Sequence, residues 1–233
     1  MCVVAIAWRA HPKWRLLVAG NRDEFHARSS APVAHWDDYI GVIAGRDLIS
    51  GGSWVGVSES ERFAVVTNIR DADGPDPDKA SRGALVSDYL VTGNLPYALE
   101  GFNPFNLIVV GPQDAHYLSN RPTPIRSVLN PGIHSLSNAI PNEHWPRKDR
   151  LTTAVAGWVA GAAAEPAKLF EVLYDETPAD REAHPIFIRS PVYGTRCSTI
   201  IAVDHEGQGQ IIERRFDADG AVTGETAIDF SWA

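Results

Sequence analysis

Two short apolar runs open the chain. Cys2-Val3-Val4-Ala5-Ile6-Ala7-Trp8 is followed by a polar break carrying His11-Pro12, and then by Leu16-Leu17-Val18-Ala19-Gly20. Apolar runs this short, split by a proline-bearing break, predict a β-hairpin. Its second arm ends in Asn21-Arg22-Asp23-Glu24. An antiparallel hairpin returns the chain to where it started, so Arg22 and Asp23 are expected beside Cys2.

The pattern continues as strand. Gly41-Val42-Ile43-Ala44-Gly45, Ser53-Trp54-Val55-Gly56-Val57 and Arg62-Phe63-Ala64-Val65-Val66-Thr67 are rich in β-branched and aromatic residues, with a Gly51-Gly52 turn signal between the first two. Phe25 to Asp38 and the polar stretch Asp71 to Asp78 are expected to be loops. From Ser81 the period changes: Leu85, Val86, Tyr89 and Leu90 share a helical face, and Gly93-Asn94 marks its end. Phe105 to Val110 and Ala115 to Leu118 return to strand, followed by loops through Leu136-Ser137-Asn138. Leu151, Ala154, Val155, Trp158, Val159 and Ala162 recur at helical spacing, and Pro166 is placed to open a further helix over Leu169, Phe170 and Leu173. After the polar stretch Pro178 to His184, Ser198 to Val203, Ile211 to Phe216 and Val222 to Ile228 predict strands. Strands first, helices in the middle and strands last indicate an α+β layered fold. No repeat or linker divides the chain, so one domain over 1–233 is expected.

Composition narrows the function classes. The 233 residues carry a net charge of −8, which argues against nucleic acid or an anionic membrane as the main partner. No run reaches the length of a membrane span, and the apolar start lacks the basic leader of a secretory signal. Two cysteines make no disulfide framework, and no Cys/His cluster has zinc spacing, so a cytoplasmic protein is expected. Gly51-Gly52 lacks the companions of a phosphate loop. His26, closest in sequence to the terminal cluster, is expected to be a solvated loop histidine.

The chemistry sits at the N-terminal end. Removal of Met1, which the small side chain of Cys2 should permit, would give Cys2 both a thiol and an α-amine. The amine titrates near neutrality and can act as a built-in base, Arg22 favours the thiolate, and Asp23 can hold the amine. The bland alternative is a buried strand cysteine beside a turn-side ion pair.

Met1-Cys2 with Asn21-Arg22-Asp23-Glu24, Gly51 to Val57, Thr67-Asn68-Ile69-Arg70, Leu136-Ser137-Asn138-Ala139 and Tyr193 to Thr199 together resemble the NRDE family, also called the transport-and-Golgi-organisation family. That family is in turn similar to the N-terminal-nucleophile hydrolases of the penicillin V acylase and bile-salt hydrolase group. The resemblance implies a four-layer αββα sandwich with Cys2 as nucleophile and Arg22 and Asp23 around it. It makes Asn138, or Asn68, the oxyanion donor and sets Arg196 against the nucleophile. The bland alternatives are asparagines that tie down their own loops and a surface ion pair for Arg196. Cys197 is more simply a buried free thiol than a redox partner of Cys2.

The implied activity is cleavage of a non-peptide C–N bond in a small acyl amide, with no cofactor required. Members of the family are also associated with haem trafficking and with lipid or Golgi phenotypes. A second reading is therefore a non-enzymatic carrier of haem or lipid cargo in the same cleft, although no haem-binding Cys-Pro dipeptide is present. A third is an inactive relative that works through its surface.

Overall fold

The computed structural model describes residues 2–71, 74–141, 143–161, 165–178 and 184–232. Met1 and Ala162, with parts of the Asp71 to Asp78 and Pro178 to His184 stretches, lie outside the described residues. The chain forms two compact units, neither a continuous stretch. One comprises residues up to Arg28, Pro131–Ser137 and His144–Trp232; the other comprises Ser29–Asn130 and Asn138–Glu143.

The first unit is a six-stranded antiparallel sheet in the order β10-β1-β2-β11-β12-β13. Its strands are β1 (Cys2–Trp8), β2 (Trp14–Phe25), β10 (Gly132–Leu136), β11 (Tyr193–Asp204), β12 (Gln208–Phe216) and β13 (Val222–Ser231). The expected hairpin is β1–β2, and its second arm is longer than the apolar run suggests: Asn21 to Glu24 lie within the strand. Alternation assigns one face of the sheet to helices. Val3, Ala5, Ala7, Leu17, Ala19, Ile200 and Ala202 pack against Leu151 and Val155 of α2 (Pro146–Ala160) and Leu169, Phe170 and Leu173 of α3 (Leu169–Leu173). Pro166 opens a short 3₁₀ turn that leads into α3.

The second unit is a seven-stranded antiparallel sheet in chain order, from β3 (Ser30–His35) and β4 (Val42–Asp47) through β5 (Val55–Ser58), β6 (Arg62–Asn68), β7 (Phe105–Val110) and β8 (Ala115–Ser119) to β9 (Ile125–Val128). Helix α1 (Arg82–Thr92) covers one face, with Leu85, Val86, Tyr89 and Leu90 on Ala44, Ala64, Val66, Leu107 and Val109. The Ser81 side chain accepts from the Gly83 N–H at its N-terminus, and Gly93 closes it in the left-handed conformation at φ 72°. The loops expected at 25–38 and before Asn138 contain strands. β3, β9 and β10 are edge strands, paired on one side only, so they lack the buried alternation that marks a strand in sequence. Among the described residues, no helix is long and apolar enough to cross a membrane.

Candidate functional site

Cys2 heads β1 and lies directly across the ladder from Arg22 of β2, which itself lies directly across from Cys197 of β11. Opposed residues in neighbouring antiparallel strands project to one face. Two thiols therefore flank one guanidinium on the face turned away from α2 and α3. Cys2 is half-buried and Cys197 buried. Further along the same face, Glu213 of β12 is buried and pairs with Arg215 at 3.2 Å.

Electrostatics at the two thiols is decided by burial. Desolvation pushes the Cys2 thiol above its ordinary value, and the Asp23 carboxylate adds to the rise. Arg22 and a main-chain hydrogen bond from Asp23 oppose it. Arg22 favours the thiolate, as its charge requires, but desolvation outweighs it. Cys197 is pushed well up, first by burial and then by the Glu213 carboxylate, again against Arg22.

Asp23 follows Arg22 and projects to the helical side of the sheet. Its Oδ1 accepts the Thr195 hydroxyl at 2.6 Å, and its Oδ2 lies 2.5 Å from Nη1 of Arg147, at the start of α2. Asp23 and Arg147 are buried at 0% and 2% side-chain exposure, so this is an ion pair held out of water. The Tyr193 hydroxyl donates to the Asp23 main-chain carbonyl at 2.9 Å. On the same side, Asn21 donates from Nδ2 to the carbonyls of Leu173 and Ile186, and its Oδ1 accepts the Ser198 hydroxyl. Consecutive residues of Asn21-Arg22-Asp23 thus divide their work. Arg22 serves the thiol face, whereas Asn21 and Asp23 fasten the strand to the helices.

Arg196 stands where β11 slips register against β2, between Thr195, opposite Asp23, and Cys197, opposite Arg22. Its Nη1 donates to the carbonyls of Phe25, His26 and Arg28, so this nitrogen clamps the turn that follows β2. His26 anchors that turn through Nε2, 3.0 Å from the Ser190 carbonyl, rather than standing solvated. Asn68 and Asn138 belong to the other unit and meet there. Nδ2 of Asn138 donates to the main-chain carbonyl of Asn68 at 2.6 Å, and the Asn138 carbonyl accepts the Arg70 N–H. Asn138 is 2% exposed, and its Oδ1 is buried without a hydrogen-bond partner among the described residues. Bonding to the Asn68 carbonyl fixes which end of the amide is nitrogen. Cys2, Arg22 and Asp23 are brought together as anticipated from the hairpin, and Asn68 and Asn138 form a separate pair.

Arg147 and Thr195 carry no role in the sequence reading. One signal for Arg147 was present: Pro146-Arg147-Lys148 puts positive charge in the first turn of a helix, against the macrodipole, which asks for a local partner. Among the described residues, no group of three or more His, Cys, Asp or Glu is placed to hold a metal ion.

The fold is shared with solved hydrolases. An N-acylethanolamine-hydrolyzing acid amidase ortholog from Caenorhabditis elegans matches with a TM-score of 0.55 at 13% identity, covering 86% of this chain and 92% of that one. A conjugated bile acid hydrolase from Clostridium perfringens matches with a TM-score of 0.53 at 9% identity, covering 98% and 92%. The fold is therefore the α+β fold of the N-terminal-nucleophile hydrolases. Within that class, the chain belongs to the Transport and Golgi organisation 2 family, whose family model matches residues 1–218. The human Transport and Golgi organization protein 2 homolog is 30% identical over 256 residues, 92% of each chain. The Drosophila melanogaster protein is 24% identical over 258 residues, 91% of each.

Proposed function

We propose that this protein is a cysteine-nucleophile amidohydrolase acting on the linear C–N bond of a small acyl amide. The observation that carries the proposal is the placement of Cys2 at the head of β1, directly opposite Arg22 and beside the buried Asp23. The fold shared with an enzyme whose name specifies N-acylethanolamine hydrolysis supports an N-acyl substrate.

In the mechanism, Met1 is removed and the α-amine of Cys2 takes the thiol proton as sulfur attacks the carbonyl carbon. The tetrahedral intermediate collapses to a thioester, and the proton passes to the leaving amine. Water then cleaves the thioester, releasing the carboxylic acid and returning the proton to sulfur. A thiol held protonated at rest suits this sequence, because the amine removes the proton only at the moment of attack. Arg22 stabilises the sulfur anion as it forms.

The raised thiol favours one second reading. A protonated, half-buried Cys2 suits a carrier of haem or lipid in the cytoplasm, with no covalent step. The test is a screen of acyl-amide substrates on protein whose intact mass shows Met1 gone, with Cys2→Ser alongside. Turnover abolished or sharply reduced in Cys2→Ser, with an unchanged fold, is the expected result. Turnover that survives the substitution rejects the enzyme mechanism. Saturable haem or lipid binding that is indifferent to Cys2→Ser, without any turnover, selects the carrier.

A further inference from the structure

We infer that Arg147 is a positioning residue for the Cys2 site: by neutralising and orienting the Asp23 carboxylate, it sets the electrostatic field in which the Cys2 thiol ionises. The inference rests on the reading of Cys2 as the reacting group. It draws on a contact that neither the hairpin nor the terminal motif contains.

Asp23 is adjacent in sequence to Arg22, the cross-strand partner of Cys2. Its carboxylate is fully buried, and a carboxylate out of water stays ionised only if its charge is compensated. Arg147 supplies that compensation at 2.5 Å, and its Nη2 donates to the Ile186 carbonyl at 2.6 Å, which fixes the guanidinium itself. Thr195 holds the other carboxylate oxygen, so Asp23 is gripped from both sides. Thr195 also accepts the Ile188 N–H at Oγ1, which leaves its hydroxyl hydrogen directed to Asp23.

The consequence at sulfur follows from signs. Asp23 disfavours the Cys2 thiolate and Arg22 favours it. From β11, Cys197 faces the same row, with Glu213 of β12 behind it. An Asp23 stripped of Arg147 acts on Cys2 with its negative charge uncompensated. An Arg147 stripped of Asp23 acts with its positive charge uncompensated. The two single losses must move the thiol in opposite directions, and losing both must leave it near where it began.

The experiment is iodoacetamide labelling of the full chain from pH 6 to 10, with Cys2 and Cys197 resolved by mass spectrometry. Wild type is compared with Arg147→Gln, Arg147→Lys, Asp23→Asn and the Asp23→Asn/Arg147→Gln pair. Arg147→Gln should move the Cys2 midpoint to higher pH and slow its labelling at pH 7 by up to about tenfold, the thiolate loss of one pH unit. Asp23→Asn should speed it, while Arg147→Lys and the double variant should both return close to wild type, and Cys197 should serve as the unmoved control. A merely structural arginine would lower stability and leave the Cys2 midpoint in place, which overturns the inference; so does a double variant as slow as Arg147→Gln. Where Arg147→Gln does not fold, Asp23→Asn and the double variant carry the test, and an unchanged Cys2 rate in Asp23→Asn overturns it. No readout needs a substrate. Failure to find amide turnover therefore rejects the proposed function and leaves this result standing, and the converse holds.

Discussion

Asn21 offers the sharpest test of how the terminal motif divides its work. It is fully buried, and every polar atom of its side chain is used: Nδ2 donates to Leu173 at 2.8 Å and to Ile186 at 2.9 Å, and Oδ1 accepts Ser198 at 2.6 Å. Replacement by alanine does not strand all three partners. The Ile186 carbonyl keeps the Arg147 guanidinium. The Leu173 carbonyl ends α3, where main-chain carbonyls have no intrahelical partner, and it is left without its donor. The Ser198 hydroxyl, 1% exposed as a residue, loses its acceptor. Each stranded buried group costs about 1–3 kcal/mol, so Asn21→Ala should lose about 2–6 kcal/mol. That is a large share of a stability that in most proteins totals about 5–15 kcal/mol. Asn21→Asp should fare no better, because it sets a carboxylate oxygen against two carbonyls. Urea unfolding at pH 7, followed by tryptophan fluorescence, measures the loss. An Asn21→Ala variant within about 1 kcal/mol of wild type would refute the accounting and make Asn21 a candidate for direct chemistry.

Two further outcomes follow from other parts of the structure. A Cβ at Gly52 would stand 2.4 Å from the carbonyl carbon and 2.6 Å from the oxygen of Gly83, both backbone atoms at the start of α1. Gly52→Ala should therefore cost about 1–3 kcal/mol in the unfolding midpoint, and an unchanged midpoint would show that α1 shifts freely. For pH dependence, Cys197 holds its proton more tightly folded than unfolded. Its contribution is fully present below the ordinary thiol value, near 8.5, and is lost as pH rises through that value, when only the unfolded chain ionises. Cys197→Ala should flatten the stability loss between about pH 8.5 and 10, and equal slopes in both proteins would refute the assignment.

Much of the fold was legible where it is built from local rules. Short apolar runs around His11-Pro12 define the β1–β2 hairpin, and the return of its second arm brings Arg22 and Asp23 beside Cys2. Ser81 and Gly93 announce α1 through capping chemistry. Contacts between residues distant in sequence were not legible. Arg147 reaches Asp23 across the chain, and nothing in either neighbourhood names the other. Arg196 was assigned to the nucleophile by resemblance, yet a one-residue slip in β11 turns its Nη1 to the 25–28 turn. A register slip changes which face a side chain meets and leaves no mark in composition. The direction of the Cys2 shift was also out of reach, since the charge of Arg22 is visible in sequence and the burial that outweighs it is not.

The order in which the strands occur has a consequence for synthesis. The seven strands of the second unit pair strictly with their sequence neighbours, so its sheet can be laid down hairpin by hairpin as the chain emerges. The first unit cannot. Its central partnership joins β2 to β11, and Thr195 follows its partner Asp23 by 172 residues. At translation rates of about 5–20 residues per second, the β1–β2 hairpin waits roughly 10–30 s for that strand to leave the ribosome. Throughout that interval one long edge of the hairpin, with Arg22 and its neighbouring thiol, is unpaired. The molecule is thus most open to chaperones and oxidants while it is being made.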